Sequence, residues 1–161
     1  MIIRPPEEYR LSRRQVLKLG GTVAAMAAIF GVFPSAARAS PRKAKERLAE
    51  LTNGAALQKG RIHITLPSLT QDGKRTRIEV AVDSPMTEED HVKALHILAE
   101  RNTVPDIATY HFSPLSGMTK IATRIRVAKS QTIIVAAEMS DGSIFYAKAR
   151  CKVARGAGGC G

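Results

Sequence analysis

The chain has 161 residues, enough for one domain and a leader segment, and 44% of them are hydrophobic. That fraction excludes an intrinsically disordered protein, and the two cysteines are too few for a disulfide-dense scaffold. The formal net charge is +11, and residues 40–161 hold 19 basic against 12 acidic residues. Such a surface attracts anions of any kind, from small oxyanions to macromolecules.

The amino terminus has the three parts of a twin-arginine export signal. The pair Arg13 and Arg14 precedes an apolar run at residues 19–33, and small residues on both sides of Arg38 suit a signal peptidase. The apolar run is shorter than the roughly 20 residues of a membrane-spanning helix. We therefore expect a cleaved signal rather than an uncleaved anchor, with Ser40 as the new amino terminus in the bacterial periplasm.

Export by this route has two implications for partners. The twin-arginine pathway carries proteins that are already folded, often with a cofactor or a partner subunit. The sequence has no obvious cofactor motif, so a partner subunit is the hypothesis we keep. The oxidising periplasm also argues against nucleic acid as the anion that the basic surface attracts.

The mature chain begins with a predicted short helix and continues with a period of two. Residues 42–53 place Ala44, Leu48 and Leu51 on one helical face, and Asn53-Gly54 is a helix stop signal. Short apolar alternations bounded by turn residues then predict seven strands, at residues 62–66, 78–82, 92–100, 107–112, 121–127, 132–139 and 143–153.

This pattern predicts an all-β fold, an immunoglobulin-like antiparallel β-sandwich of about seven strands with a short N-terminal helix. The run at residues 92–100 is apolar on both alternations, which suits either a strand covered on both sides or a short helix. The predicted organisation is a signal peptide at 1–39, a β-sandwich domain at 40–153 and a Gly-rich arm at 154–161.

The last strand separates the two cysteines. Cys151 shares a strand face with Phe145 and Ala147, which favours a small buried hydrophobe over a reactive thiol. Cys160 stands one residue from the carboxyl end of an arm that we predict to be flexible, with glycines at Gly156, Gly158, Gly159 and Gly161. Seven residues from Val153 reach at most about 25 Å, enough to present the thiol to a deep pocket on another protein.

Constellations typical of enzymes are weak. The four histidines, His63, His91, His96 and His111, lack zinc-type spacing with the cysteines. No Ser-His-Asp order, CxxC motif or phosphate-binding loop is present, and the acidic run at residues 87–90 is interpreted as a solvated loop or a helix start.

Two further features concern charge. Arg124 and Arg126 alternate on a predicted strand, which suits either a docking patch or ordinary solubility. Lys152 and Arg155 favour a thiolate at Cys160 slightly, and the carboxylate of Gly161 opposes it. We therefore expect a partner enzyme to activate the thiol.

A twin-arginine leader, a small β-sandwich and a GGCG tail together resemble the SoxY family, the sulfur-carrier subunit of the bacterial thiosulfate-oxidising system. Further stretches that resemble the family lie at residues 83–86, 92–102, 108–114, 122–132 and 138–142. The resemblance implies a protein that is not an enzyme and has no cofactor, and whose Cys160 holds thiosulfate-derived intermediates covalently, as an S-thiosulfonate or a persulfide-like adduct.

The resemblance also implies partners. These are a SoxZ-like β-sandwich subunit in a heterodimer, a SoxAX-like haem enzyme that couples thiosulfate to the thiol, and a SoxB-like hydrolase that releases sulfate. A sulfur dehydrogenase, where present, oxidises the remaining sulfane sulfur. A stable membrane anchor and nucleic acid are not expected.

Two departures from the family pattern leave alternatives open. The family tail usually ends GGCGG, whereas here the single Gly161 brings the carboxylate nearer the thiol. Cys151 is additional, and a disulfide between Cys151 and Cys160 would block the carrier.

The alternative function is an immunoglobulin-like interaction module whose tail cysteine only forms protein–protein disulfides. A thiol-disulfide oxidoreductase is disfavoured because no second cysteine has redox-motif spacing.

Overall fold

The computed structural model describes residues 40–154, and within this range the chain forms one α-helix and nine strands. The helix is α1 (Pro41–Leu51). The strands are β1 (Leu57–Gln58), β2 (Ile62–Thr65), β3 (Leu69–Thr70), β4 (Thr76–Val82), β5 (Val92–Ala99), β6 (Asp106–His111), β7 (Thr119–Ile125), β8 (Gln131–Met139) and β9 (Ile144–Val153). A 3₁₀ turn occupies Pro114–Ser116.

Helix α1 confirms the predicted amphipathic helix. Ser40 caps it, since its hydroxyl accepts a hydrogen bond from the Lys43 amide, and Pro41 occupies the first turn, where a missing N–H costs nothing. Ala44 and Leu48 are buried. Within residues 40–154, no helix is long and apolar enough to cross a membrane.

The strands form two sheets, and the predicted β-sandwich is confirmed. One sheet has the order β1-β9-β8-β5-β6, with β3 also paired to β9, and the other has the order β2-β4-β7. All seven predicted strands are present, with bounds shifted by one or two residues. The two additional strands, β1 and β3, each pair with β9 in parallel over two residues. A two-residue strand has no period, so no sequence pattern indicates it.

The core lies between the two sheets. Alternate residues of β4 are buried, which places Ile78 and Val80 against Leu95 and Val135 of the larger sheet. The ambiguous run at residues 92–100 forms strand β5, and it is apolar on both alternations because both faces of the strand are covered. Leu95 packs into the core between the sheets, whereas Leu98 packs with Leu48 of helix α1 on the outer face.

Candidate functional site

The predicted carrier residue Cys160 and the arm glycines Gly156, Gly158, Gly159 and Gly161 lie outside the described residues, as do Arg13 and Arg14 of the export signal. The description ends at Ala154, one residue past the last strand. The described residues nearest to the predicted site are therefore those at the end of the last strand. We call Val153 and Ala154, with the groups that hold them, the arm root.

Hydrogen bonds hold the arm root up to its last described residue. Strand β3 pairs with the end of β9 through Leu69 opposite Lys152 and Thr70 opposite Val153. The Val153 amide donates to the Ser130 hydroxyl at 3.0 Å, and the Ala154 amide donates to the Thr70 carbonyl at 3.0 Å. The domain thus fixes the position of Ala154, the last described residue.

Gly73 packs against the arm root, which explains the glycine of the predicted Asp72-Gly73 turn. The Val127 amide donates to the Gly73 carbonyl at 2.7 Å. A Cβ atom at position 73 would lie 2.6 Å from the Val127 carbonyl oxygen and 3.2 Å from Cγ1 of Val153. Only glycine lets the backbone come this close, so the turn, the β7–β8 connection and the end of β9 form one packed unit.

Cys151 lies in the core, in agreement with its strand phase. Its side chain is fully buried, and its sulfur lies 3.6 Å from the Lys152 carbonyl oxygen. Burial raises the pKa of the Cys151 thiol, because a buried thiolate loses its hydration. The thiol is therefore protonated at neutral pH, and a disulfide from Cys151 to Cys160 requires the end of β9 to open first.

His96 is the most buried of the four histidines and has a structural partner. Its Nδ1 atom lies 3.0 Å from the Thr109 hydroxyl on the neighbouring strand. Burial is the main cause that lowers the pKa of His96, because it disfavours the imidazolium. The charged or titratable groups that act on it are Glu138, His111, Asp106 and Arg47.

Lowering the pH is expected to destabilise the fold through His96. Folding lowers the pKa of His96, so the folded protein favours its neutral form. The contribution of His96 to the free energy of unfolding is therefore complete above the unfolded pKa of about 6.5. It is lost as the pH falls from that value towards the lower pKa of the folded state. Urea unfolding at about pH 7.5 and about pH 5 measures this loss. His96→Asn is expected to lose less stability in acid than the parent. A loss as large as the parent's would contradict the role of His96, and His63→Asn is the matched control.

The other histidines make local contacts. Nε2 of the exposed His63 lies 2.7 Å from an Asp83 carboxylate oxygen, and Nδ1 of His91 lies 2.9 Å from the Thr87 carbonyl oxygen. Residues 87–90 form a loop without a helix start. Across residues 40–154, no group of three or more His, Cys, Asp or Glu side chains could hold a metal ion.

Basic side chains line an open depression beside the arm root. Arg124 on β7 lies directly opposite Arg77 on β4, and strand β7 ends at Ile125, so Arg126 lies past the strand. The depression has a volume of about 660 Å³ and is lined by Lys74, Arg75, Arg77, Ala122, Thr123 and Arg124. Only Arg124 and Arg126 could be predicted from the sequence, because the pairing of β4 with β7 is what brings Lys74 and Arg75 near Arg124.

The sequence profile of the family described as "Sulfur oxidation protein SoxY" matches residues 48–160 of the chain. The chain belongs to the SoxY family. The matched range covers the last turn of helix α1, all nine strands of the sandwich and the chain as far as Cys160, and it confirms the resemblance drawn from the tail and the strand pattern. No curated protein matches the sequence.

Solved structures similar to this SoxY family member share its fold. The structure of the sulfur carrier protein SoxY from Chlorobium limicola f thiosulfatophilum is 21% identical, with a TM-score of 0.58 over 67% of this chain and 89% of that one. A superoxide reductase (neelaredoxin) from Ignicoccus hospitalis is 12% identical, with a TM-score of 0.53 over 59% of this chain and 81% of that one.

A further structure, a putative superoxide reductase from Thermotoga maritima, is 17% identical, with a TM-score of 0.52 over 62% of this chain and 95% of that one. At these identities the likenesses show the sandwich fold alone. The assignment to the SoxY family therefore rests on the sequence profile.

Proposed function

We propose that this SoxY family protein is a periplasmic sulfur carrier that holds thiosulfate-derived groups covalently on Cys160 and presents them to partner enzymes. The observation that carries the proposal is the family match, which continues past the last strand as far as residue 160. The similar Chlorobium protein is described as a sulfur carrier, which agrees with this role. The anchored arm root supports it as well, because a carrier arm needs a fixed base.

In the proposed cycle Cys160 is a point of attachment. Its thiolate joins the sulfane sulfur of thiosulfate to give a cysteine S-thiosulfonate; the thiol loses its proton, and two electrons pass to the SoxAX-like haem enzyme. A SoxB-like hydrolase then uses water to release the terminal sulfone group as sulfate and leaves a persulfide. The protein itself is not an enzyme, and its partners supply the oxidant and the activation of the thiol.

The proposed organisation follows from this cycle. Residues 1–39 direct twin-arginine export and are removed, residues 40–153 form the carrier domain, and residues 154–161 form the arm. A SoxZ-like subunit completes a heterodimer with the carrier domain. The adducts on Cys160 are anions, and the basic surface of the mature chain favours them electrostatically.

Intact mass spectrometry of the mature protein, taken from cells grown on thiosulfate, tests the proposal. The parent is expected to show added sulfur and sulfonate masses that a reductant removes, and Cys160→Ser is expected to show none. Cys151→Ala is the matched control and is expected to keep the adducts, because its thiol is buried. Protein–protein disulfides without any sulfur adduct would contradict the carrier role and favour an interaction module.

A further inference from the structure

The two ends of the sandwich have opposite charge. At one end of the sandwich, the start of β4 pairs with the end of β7, and the start of β8 pairs with the end of β9. The arm root therefore lies at the same end as three loops, at residues 66–75, 100–105 and 126–130. These three loops contain two acidic residues and five basic ones, which are Lys74, Arg75, Arg101, Arg126 and Lys129. The arm therefore leaves the domain from its basic end.

The opposite end is acidic. Its loops at residues 83–91, 112–118 and 140–143 contain no Lys or Arg and five acidic residues, which are Asp83, Glu88, Glu89, Asp90 and Asp141. The nearby segment 59–61 adds Lys59 and Arg61, and Arg61 is paired with Asp90 at 2.9 Å. The three loops at the arm end thus have a net formal charge of +3, five basic against two acidic residues, whereas the loops at the opposite end together with segment 59–61 have −3, two basic against five acidic.

Three of the four basic side chains that line the depression have no ion-pair partner among the described residues. Among residues 40–154, the ion pairs include Arg77 with Glu79 at 2.7 Å, but none that involves Lys74, Arg75 or Arg124. Arg77 and Arg124 face each other across two strands, an arrangement of like charges that destabilises a sheet. Charges placed in this way are available to a partner.

The shape of this surface favours a macromolecular partner. The depression of about 660 Å³ is open, its cations are exposed side chains on strands and a loop, and it is far larger than one sulfur oxyanion. Exposed charges of this kind contribute mainly through complementary surface potential, which guides association and sets the orientation of two proteins.

We propose that the surface formed by Lys74, Arg75, Arg77 and Arg124, the basic surface of the arm root, docks the acidic rim of an enzyme that receives the arm. This inference rests on the proposed carrier function and names the surface that the carrier uses. Gly73, which precedes Lys74 and Arg75, contacts Val153, so a partner bound to this surface lies beside the start of the arm. Cys160 is the sixth residue after Ala154, so its thiol reaches at most about 20 Å from Ala154.

The test measures equilibrium binding of the mature full-length protein, with its SoxZ-like subunit, to the purified hydrolase of the thiosulfate-oxidising system. All variants contain Cys160→Ser, so that cargo chemistry contributes nothing. The variant Arg75→Glu/Arg124→Glu is compared with Lys59→Glu/Lys148→Glu. The control pair makes the same change in net charge, and both of its lysines are exposed, with Lys59 at the opposite end of the sandwich and Lys148 in the middle of β9.

At low ionic strength the arm-root variant is expected to bind about tenfold more weakly or worse, and the control less than about twofold more weakly. Binding by the parent is expected to weaken as salt increases, and that dependence is expected to flatten in the arm-root variant. Equal weakening by the control, no salt dependence, or no binding by the parent would overturn the inference. None of these results bears on adduct formation at Cys160, which mass spectrometry tests separately.

Discussion

Leu95→Ala is expected to lower the free energy of unfolding by about 2–5 kcal/mol. Leu95 lies on β5, an interior strand of the larger sheet between β8 and β6, and none of its side chain is exposed. Truncation removes buried methyl groups and leaves a cavity, because the strands on both sides of β5 are held by hydrogen bonds and do not collapse into the space.

Leu115→Ala is the matched control for this substitution. Leu115 lies in the 3₁₀ turn with 98% of its surface exposed, so the same chemical change is expected to alter stability by less than about 0.5 kcal/mol. Urea unfolding followed by circular dichroism measures both variants, and a shifted midpoint with an unchanged m-value indicates a change in stability alone. Similar losses in the two variants would contradict the placement of the core.

The two cysteines are expected to differ in alkylation rate by at least about a hundredfold in the folded protein, with Cys160 the faster. Cys151 is fully buried, its thiol pKa is raised, and a reagent reaches it only after the end of β9 opens. An opening that costs about 3 kcal/mol already slows the reaction by about two orders of magnitude. Cys160 lies beyond the strand and is predicted to be accessible.

Iodoacetamide labelling followed by peptide mass spectrometry gives the two rates. In denaturant both cysteines are expected to react at similar rates, and this serves as the control for intrinsic reactivity. In the folded Cys160→Ser variant, rapid labelling is expected to disappear. A folded protein that takes up no label until it is reduced, and whose mass shows no added sulfur, would indicate a Cys151–Cys160 disulfide and would contradict the carrier function.

The strand pattern was sufficient to predict the sandwich because most strands have one face on the core and one towards solvent. Thr76, Ile78, Val80 and Val82 of β4 are buried at every second position, and the sequence shows the same alternation. The phase of β9 likewise predicted the buried position of Cys151 correctly. The choice between strand and helix at β5 needed the structure, because covering on two sides removes the alternation.

Other features depend on contacts between distant segments. Ile144 lies on the face of β9 opposite the predicted core face, yet it is buried with Leu48 of helix α1, because the helix covers that end of the sheet. The basic surface of the arm root combines Lys74 and Arg75 of one loop with Arg124 of a later strand. No local pattern brings these residues together, so only the strand register shows the surface.

In the proposed function, the parallel pairing of β3 with β9 determines how many residues of the arm are free to move. Pairing stops at Thr70 opposite Val153, and one more hydrogen bond holds Ala154. Each residue released from this ladder would add about 3.3 Å to the distance that the thiol can travel. In the proposed carrier cycle, an active site that lies more than about 20 Å from Ala154 would therefore be reached only if the partner enzyme also separated the end of β9 from β3.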